Sequence, residues 1–255
     1  MSLLNIKDLT QYFGGLCALS NYNLALDSSE LLGIIGPNGA GKTTLFNLIT
    51  GVYKPTRGSI EIAGIEIGKK TSCEITSLGV ARTFQNIRLF NELSVLDNVR
   101  IAHYSQKKYH PLQALFRSKR FNTEENEIIN HSFELLNFFG IKEFHKESAK
   151  NLPYGLQRKL EIARALATNP KILLLDEPAA GMNPSEIQGL LKLIRGIKEE
   201  FKLTVILIEH QMRLVMNICE RIQVLNFGSV IAEGTPREIQ NNAKVIEAYL
   251  GKENS

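Results

Sequence analysis

Apolar and polar residues alternate from Leu3 to Leu9 and again from Asn21 to Leu26, as in strands with one buried face. Gly14-Gly15 breaks the chain between them. Two other stretches are apolar without interruption, Leu31-Leu32-Gly33-Ile34-Ile35 and Ile172 to Leu175, and Leu203 to Ile208 is apolar but for Thr204. Runs of that kind suit strands covered on both faces. A further strand is expected over Ser59 to Ala63, after the turn Lys54-Pro55-Thr56-Arg57-Gly58 and ending at Gly64. The apolar segment Leu45 to Ile49 reads as a helix with Gly51 as its C′ residue.

From about Ser94 to Thr168 the pattern turns helical. Ser94 with Asp97 marks one helix start, and Asn122 with Glu125 resembles a capping box ahead of Ile128, Ile129, Phe133, Leu136 and Phe139. Lys107 to Arg120 contains Pro111 and no clear period, so an irregular insertion is expected there. Beyond Pro170 the strands return. Asn183-Pro184-Ser185-Glu186 combines a capping residue, a proline at the first helical position and a glutamate three residues on. Two buried strands joined by that helix predict parallel pairing. Thr235-Pro236-Arg237-Glu238 repeats the capping signal and predicts a terminal helical segment through Leu250. The expected plan is an α/β core, residues 1–86 and 166–255, interrupted by a helical region at about 87–165.

Composition narrows this plan without changing it. The chain has 255 residues, 44% hydrophobic and 22% charged, ordinary values for a globular protein. No window approaches the run of roughly 18 apolar residues that a membrane span needs. Met1 to Asp8 lacks the basic, apolar and small-residue regions of a signal peptide. The three cysteines, Cys17, Cys73 and Cys219, are scattered and form no C-x-x-C pair, which argues against a disulfide framework or zinc site and for a reducing, cytosolic compartment. A net charge of +4 is too modest to imply nucleic acid. The densest basic stretch, Lys107 to Arg120, reads as a solvated face or a contact for acidic headgroups or a partner.

The chemistry concentrates after the first buried run. Gly36-Pro37-Asn38-Gly39-Ala40-Gly41-Lys42-Thr43-Thr44 is a G-x-x-x-x-G-K-[ST] loop between a strand and a helix, the context that makes the motif meaningful. Glycines without side chains let main-chain N–H groups close around phosphate oxygens at a helix N-terminus. Lys42 can reach the terminal phosphates, and the Thr43 hydroxyl can hold an accompanying Mg2+. Asp176-Glu177-Pro178 puts two carboxylates at the carboxyl end of a buried strand, where open α/β sheets bind ligands. Asp176 is expected to hold Mg2+, and Glu177 to orient and deprotonate an attacking water.

With these motifs in this order the chain resembles the ATP-binding subunits of ABC transporters, from about Leu4 to Leu250. The resemblance implies an α/β P-loop NTPase: a mostly parallel sheet, an antiparallel β subdomain near the N-terminus and an inserted α-helical subdomain. It further implies ATP hydrolysis with ATP and Mg2+ as cofactors. Phe13 matches the aromatic that stacks on adenine, with Tyr12 as a fallback. Gln85 matches a glutamine that reaches the metal and the attacking water. Ala179 to Pro184 matches the D-loop, with Asn183 at its usual aspartate, and His210 matches a switch histidine that senses the γ-phosphate. Leu152-Pro153-Tyr154-Gly155-Leu156 matches the signature, which touches ATP held by an opposing subunit. Here the chain departs from the usual L-S-G-G-Q. Pro153 removes a hydroxyl and an N–H, Tyr154 replaces a glycine and Leu156 replaces the glutamine. Tyr154 and Gly155 remain as the expected phosphate-side contacts, with weaker closure or slower turnover expected.

Arg82 to Phe90, Tyr154-Gly155, Ala179 to Pro184, Gly234-Thr235-Pro236 and the tail Val245 to Gly251 are similar to the larger ATPase subunit of branched-chain amino-acid importers. The implied partners are a second ABC ATPase subunit (homo- or heterodimer), transmembrane permease subunits and an extracytoplasmic solute-binding protein. The implied location is peripheral, at the cytoplasmic face of the cell membrane. A lipopolysaccharide exporter is the rival within this chemistry, though its usual serine-containing signature argues against it. A ribosome- or DNA-acting ATPase would bring a second cassette or long coiled coils. A regulatory module that has lost turnover is the non-enzyme alternative.

Overall fold

A computed structural model of the chain describes residues 2–104 and 119–250. The irregular insertion and basic stretch expected over Lys107–Arg120 thus lie, for 107–118, outside the described residues, as does Gly251 of the tail. The chain divides into two compact units, Met1–Arg82 with Lys171–Ser255, and Thr83–Pro170.

The first unit holds two sheets. Strands β1 (Leu4–Phe13), β2 (Leu16–Leu26), β4 (Arg57–Ile62) and β5 (Ile65–Glu66) form a sheet of order β2-β1-β4-β5, antiparallel at every pairing. The other sheet takes β3 (Leu31–Ile35), β6 (Val80–Arg82), β7 (Ile172–Asp176), β8 (Thr204–Ile208), β9 (Arg221–Asn226) and β10 (Ser229–Gly234) in the order β10-β9-β3-β8-β7-β6. Its pairings are parallel except the β9–β10 hairpin. Every residue of β3, β7 and β8 is buried, as their mostly apolar sequences suggest, with Asp176 ending β7 and Thr204 opening β8 as the polar exceptions. One apolar cluster joins Leu4, Ile6, Leu9 and Tyr22 of the first sheet to Leu32, Leu174 and Ile206 of the second through Leu45 and Phe46 of helix α1 (Lys42–Ile49).

Several expectations change at their edges. β1 and β2 run on past Leu9 and start before Asn21. Their register shifts near Leu9 and Gln11, with Asp8 and Asn21 at positive φ, so the alternation fails where the bulges lie. β4 begins two residues early, at Arg57. The terminal helical segment is two helices, Pro236–Gln240 and Ala243–Leu250. The hairpin β9–β10 and the short elements β5, β6, Ser72–Ser77 and Met212–Ile218 were not legible in the pattern.

In the second unit, among the described residues, every regular element is helical: Val95–His103, Lys119–Phe138, Tyr154–Leu166 and two short 3-10 turns. Ser94 caps the first, accepting the Asp97 N–H. The capping box expected at Asn122 and Glu125 does not form, because the helix already runs from Lys119. Glu125 instead accepts from Arg100 Nη2 (3.2 Å) and Tyr104 Oη (2.9 Å).

Candidate nucleotide and hydrolysis site

The residues with phosphate chemistry lie at the carboxyl ends of four parallel strands in the first unit. Gly36 follows β3, Arg82 ends β6, Asp176 ends β7, and Glu209-His210 follows β8. This is where parallel sheets leave a crevice for ligands. Glycine is required at two loop positions. Gly36 has φ 153°, and a Cβ there would lie 2.1 Å from the Leu225 carbonyl oxygen. Gly41 has φ 104°, and a Cβ there would lie 2.6 Å from the Ala18 carbonyl oxygen. Ala40 O accepts the Gly228 N–H (3.0 Å) and Gly228 O accepts the Ser20 N–H (2.8 Å), so β2 and the β9–β10 turn brace the loop. No side chain caps α1 and no acidic residue lies in its first turn, which leaves its positive end suited to an anion.

Lys42 is buried, its Nζ donating to Gly36 O (2.7 Å) and Pro37 O (2.9 Å). Burial pushes the ammonium pKa down, and the carboxylates of Glu177 and Asp176 oppose that shift. The two neighbouring carboxylates have different partners. Asp176 Oδ2 accepts from Arg82 Nη2 at 2.8 Å, and Arg82 Nη1 donates to Asn47 Oδ1 of α1 at 2.7 Å. Glu177 sits at φ 45°, uncommon for a residue with a side chain, and its Oε1 meets His210 Nε2. Glu209 is 2% exposed; its Oε1 accepts the Ala179 N–H (2.8 Å) and its Oε2 the His210 N–H (3.2 Å).

At the β1–β2 tip Phe13 is 41% exposed and packs edge-on against Tyr53, with centroids 5.1 Å apart. Asn183 caps the helix Pro184–Phe201 in a full capping box with Glu186.

Gln85, Tyr154 and Gly155 belong to the second unit. Arg158, completely buried, gathers two of them: its Nη2 donates to Gln85 O (2.8 Å) and Tyr154 Oη (3.2 Å), and its Nη1 to Phe84 O (2.7 Å). Glu161 pairs with Arg158 at 2.8 Å and accepts the N–H groups of Phe84 (3.3 Å) and Arg88 (3.1 Å). Pro153 is the N-cap of Tyr154–Leu166, with no side-chain capping bond. Motif reading missed Arg82, Arg158, Glu161 and the function of Glu209. An arginine or glutamate inside an apolar stretch was the available signal.

In the first unit Thr43 and Asp176 carry hydroxyl and carboxylate oxygens, the hard donors that Mg2+ takes, and Gln85 of the second unit carries an amide oxygen of the same kind. Among the described residues no group of three His, Cys, Asp or Glu could hold a metal. A single hydroxyl and a single carboxylate suit an ion that keeps most of its shell for phosphate oxygens and water.

The family model for ABC transporters matches residues 19–180, and the model for branched-chain amino acid ATP-binding cassette transporters matches residues 229–254. The chain is 45% identical over 250 residues to the high-affinity branched-chain amino acid transport ATP-binding protein BraF of Pseudomonas aeruginosa, covering 98% of each chain. It has the same identity and coverage with the corresponding protein LivG of Escherichia coli. The solved ADP conformation of MJ1267, an ATP-binding cassette of an ABC transporter, is similar with a TM-score of 0.86 at 32% identity, covering 99% of this chain and 100% of that one. A P-loop braced at the end of β3, a carboxylate pair ending β7 and these full-length likenesses agree: the chain belongs to the ABC transporter family, as one of its ATP-hydrolysing, ATP-binding subunits.

Proposed function

We propose that the chain energises an importer of branched-chain amino acids. The carrying observation is the match of its C-terminal segment, residues 229–254, to the model specific to branched-chain amino acid cassettes. The names of BraF and LivG support the same solute class.

In the proposed mechanism the N–H groups of Gly36 to Thr44 and the Lys42 ammonium bind the phosphates of ATP, while Phe13 offers its exposed face to adenine. Thr43, Gln85 and Asp176 would hold Mg2+, which when bound neutralises charge on the phosphoryl oxygens. Glu177 accepts the proton of the attacking water as it attacks the γ-phosphorus. His210 holds the Glu177 carboxylate and the water in line. Tyr154, Gly155 and the helix behind them face the nucleotide of a second ABC ATPase subunit, because one chain has one phosphate loop and one signature. Closure on ATP and opening after hydrolysis drive the permease subunits, which receive solute from an extracytoplasmic binding protein. Among the described residues no helix is long and apolar enough to cross a membrane. The proposal places the chain at the cytoplasmic face, attached through the permease.

The test is ATP turnover by the reconstituted complex with Glu177→Gln. ATP binding is retained and hydrolysis falls by about 10²-fold or more, the range of a lost general base. Unchanged turnover would remove Glu177 from the chemistry. Binding without any turnover in the unaltered complex would favour the regulatory reading.

A further inference from the structure

Glu209 follows β8 and hydrogen-bonds to two segments of the first unit, the loop after β7 and the one that carries His210. Ala179, whose N–H its Oε1 accepts at 2.8 Å, opens the segment that ends at the helix cap Asn183. His210, whose N–H its Oε2 accepts at 3.2 Å, carries the imidazole that meets Glu177. The Glu177 N–H is itself held by Ile208 O at 2.9 Å, so the ends of β7 and β8 are joined on both sides of this carboxylate. The side chain is out of solvent and lies close enough to Glu177 for the two charges to repel.

We propose that Glu209 is a positioning residue that makes displacement of residues 179–183 felt at the His210–Glu177 contact. The proposal rests on the functional reading of Glu177 and His210 given above and adds a coupling to it. A carboxylate here has a specific advantage. Each oxygen accepts a main-chain N–H, and neither donor can rotate away without moving its loop. An amide offers one acceptor oxygen, and its NH2 would face an N–H donor. A residue needed only to fill the space would serve equally well as glutamine. Burial pushes the carboxyl pKa up, while the main-chain N–H groups of Ala179, His210 and Gln211 favour the ionised form. Retaining a buried carboxylate beside Glu177 is costly, which fits a group whose place is set by the reaction rather than by folding.

The experiment is steady-state ATP hydrolysis by the reconstituted transporter with Glu209→Gln and Glu209→Asp, beside Glu177→Gln and His210→Ala. Glu209→Gln lowers kcat about tenfold and leaves KM for ATP within about twofold, since it loosens the base without touching the phosphate loop. Glu209→Asp, with both oxygens but one methylene less reach, falls in between. The thermal midpoint of the glutamine variant stays within a few degrees of the unaltered complex. Unchanged kcat in both variants overturns the coupling, as does a kcat loss that merely tracks loss of folded complex. Should the glutamine variant fail to assemble, the aspartate variant is read by the same criteria. If His210→Ala turns over normally, the underlying reading of the switch fails. If His210→Ala is inactive and both Glu209 variants are not impaired, the coupling alone fails.

Discussion

At the scale of single residues, the Arg82–Asp176 pair matters as much as the motif residues it supports. The two side chains are 7% and 5% exposed and meet at 2.8 Å. Breaking a buried pair by removing one partner is far more damaging than removing both, because the survivor keeps a buried charge that has lost a direct counter-ion. Arg82→Ala should therefore lower unfolding stability by about 3–5 kcal/mol in urea denaturation of the isolated subunit. Adding Asp176→Asn should recover a large part of that loss. Strict additivity of the two effects would show that the charges are not coupled. The pair also explains a limit on motif reading. Asp176 was legible because it ends an apolar run next to Glu177, but its partner lies 94 positions away. The same holds for Glu209 and Ala179, 30 apart, and for Arg158 and Gln85, 73 apart. Local pattern identifies groups that act on a ligand; it has no view of the charges that hold those groups.

At the scale of elements, what was legible depended on whether the deciding interaction was local. β3, β7 and β8 declare themselves because burial on both faces favours a nearly continuous apolar run. The capping boxes at Asn183 and Thr235 declare themselves because cap and N3 partner are three residues apart. The outer ends of β1 and β2 and the β9–β10 hairpin depend on register and tertiary packing, whereas the interruption at Asn241-Asn242 is local, with Asn242 Oδ1 accepting the Lys244 and Val245 N–H groups, and the single segment expected through Leu250 overlooks it. Two outcomes follow from the caps. Asn183→Ala should lower stability by about 1 kcal/mol in urea unfolding, the usual cost of losing such a cap. Glu74 and Glu238 have carboxyl pKa values held below the ordinary range, chiefly by the N–H groups of Thr71 and Thr235. A depressed folded pKa gives stability that is present above the unfolded value and is lost as pH falls through the folded one. Acid unfolding followed from roughly pH 5 downward should show that loss, and Glu74→Gln with Glu238→Gln should flatten it. An identical acid slope in the double variant would contradict the assignment.

At the scale of the whole molecule, the proposed function turns on how strongly the chain closes on a second ABC ATPase subunit around ATP, and Pro153 is where the answer is concentrated. Pro153 supplies neither a hydroxyl nor an N–H at the start of the helix Tyr154–Leu166, and that helix has no side-chain cap. Replacing it with serine would add two things. A serine at an N-cap typically stabilises its helix by about 1 kcal/mol, with or without nucleotide. A hydroxyl and an N–H aimed at a γ-phosphate would add charge-assisted hydrogen bonds worth about 1.5–3 kcal/mol each, and only when ATP is present. The two contributions separate cleanly in one pair of measurements. Thermal unfolding of the isolated subunit without nucleotide reads the cap. Sedimentation of the Glu177→Gln subunit with ATP, where hydrolysis cannot reopen the dimer, reads the phosphate contact. The expected result is a rise of a few degrees in the first and a tightening of ATP-dependent association by about tenfold or more in the second. A gain in melting temperature with no change in association would confine Pro153 to helix capping. The proposed weak closure would then have to be sought in Tyr154 and Leu156, which occupy the glycine and glutamine positions of the usual signature.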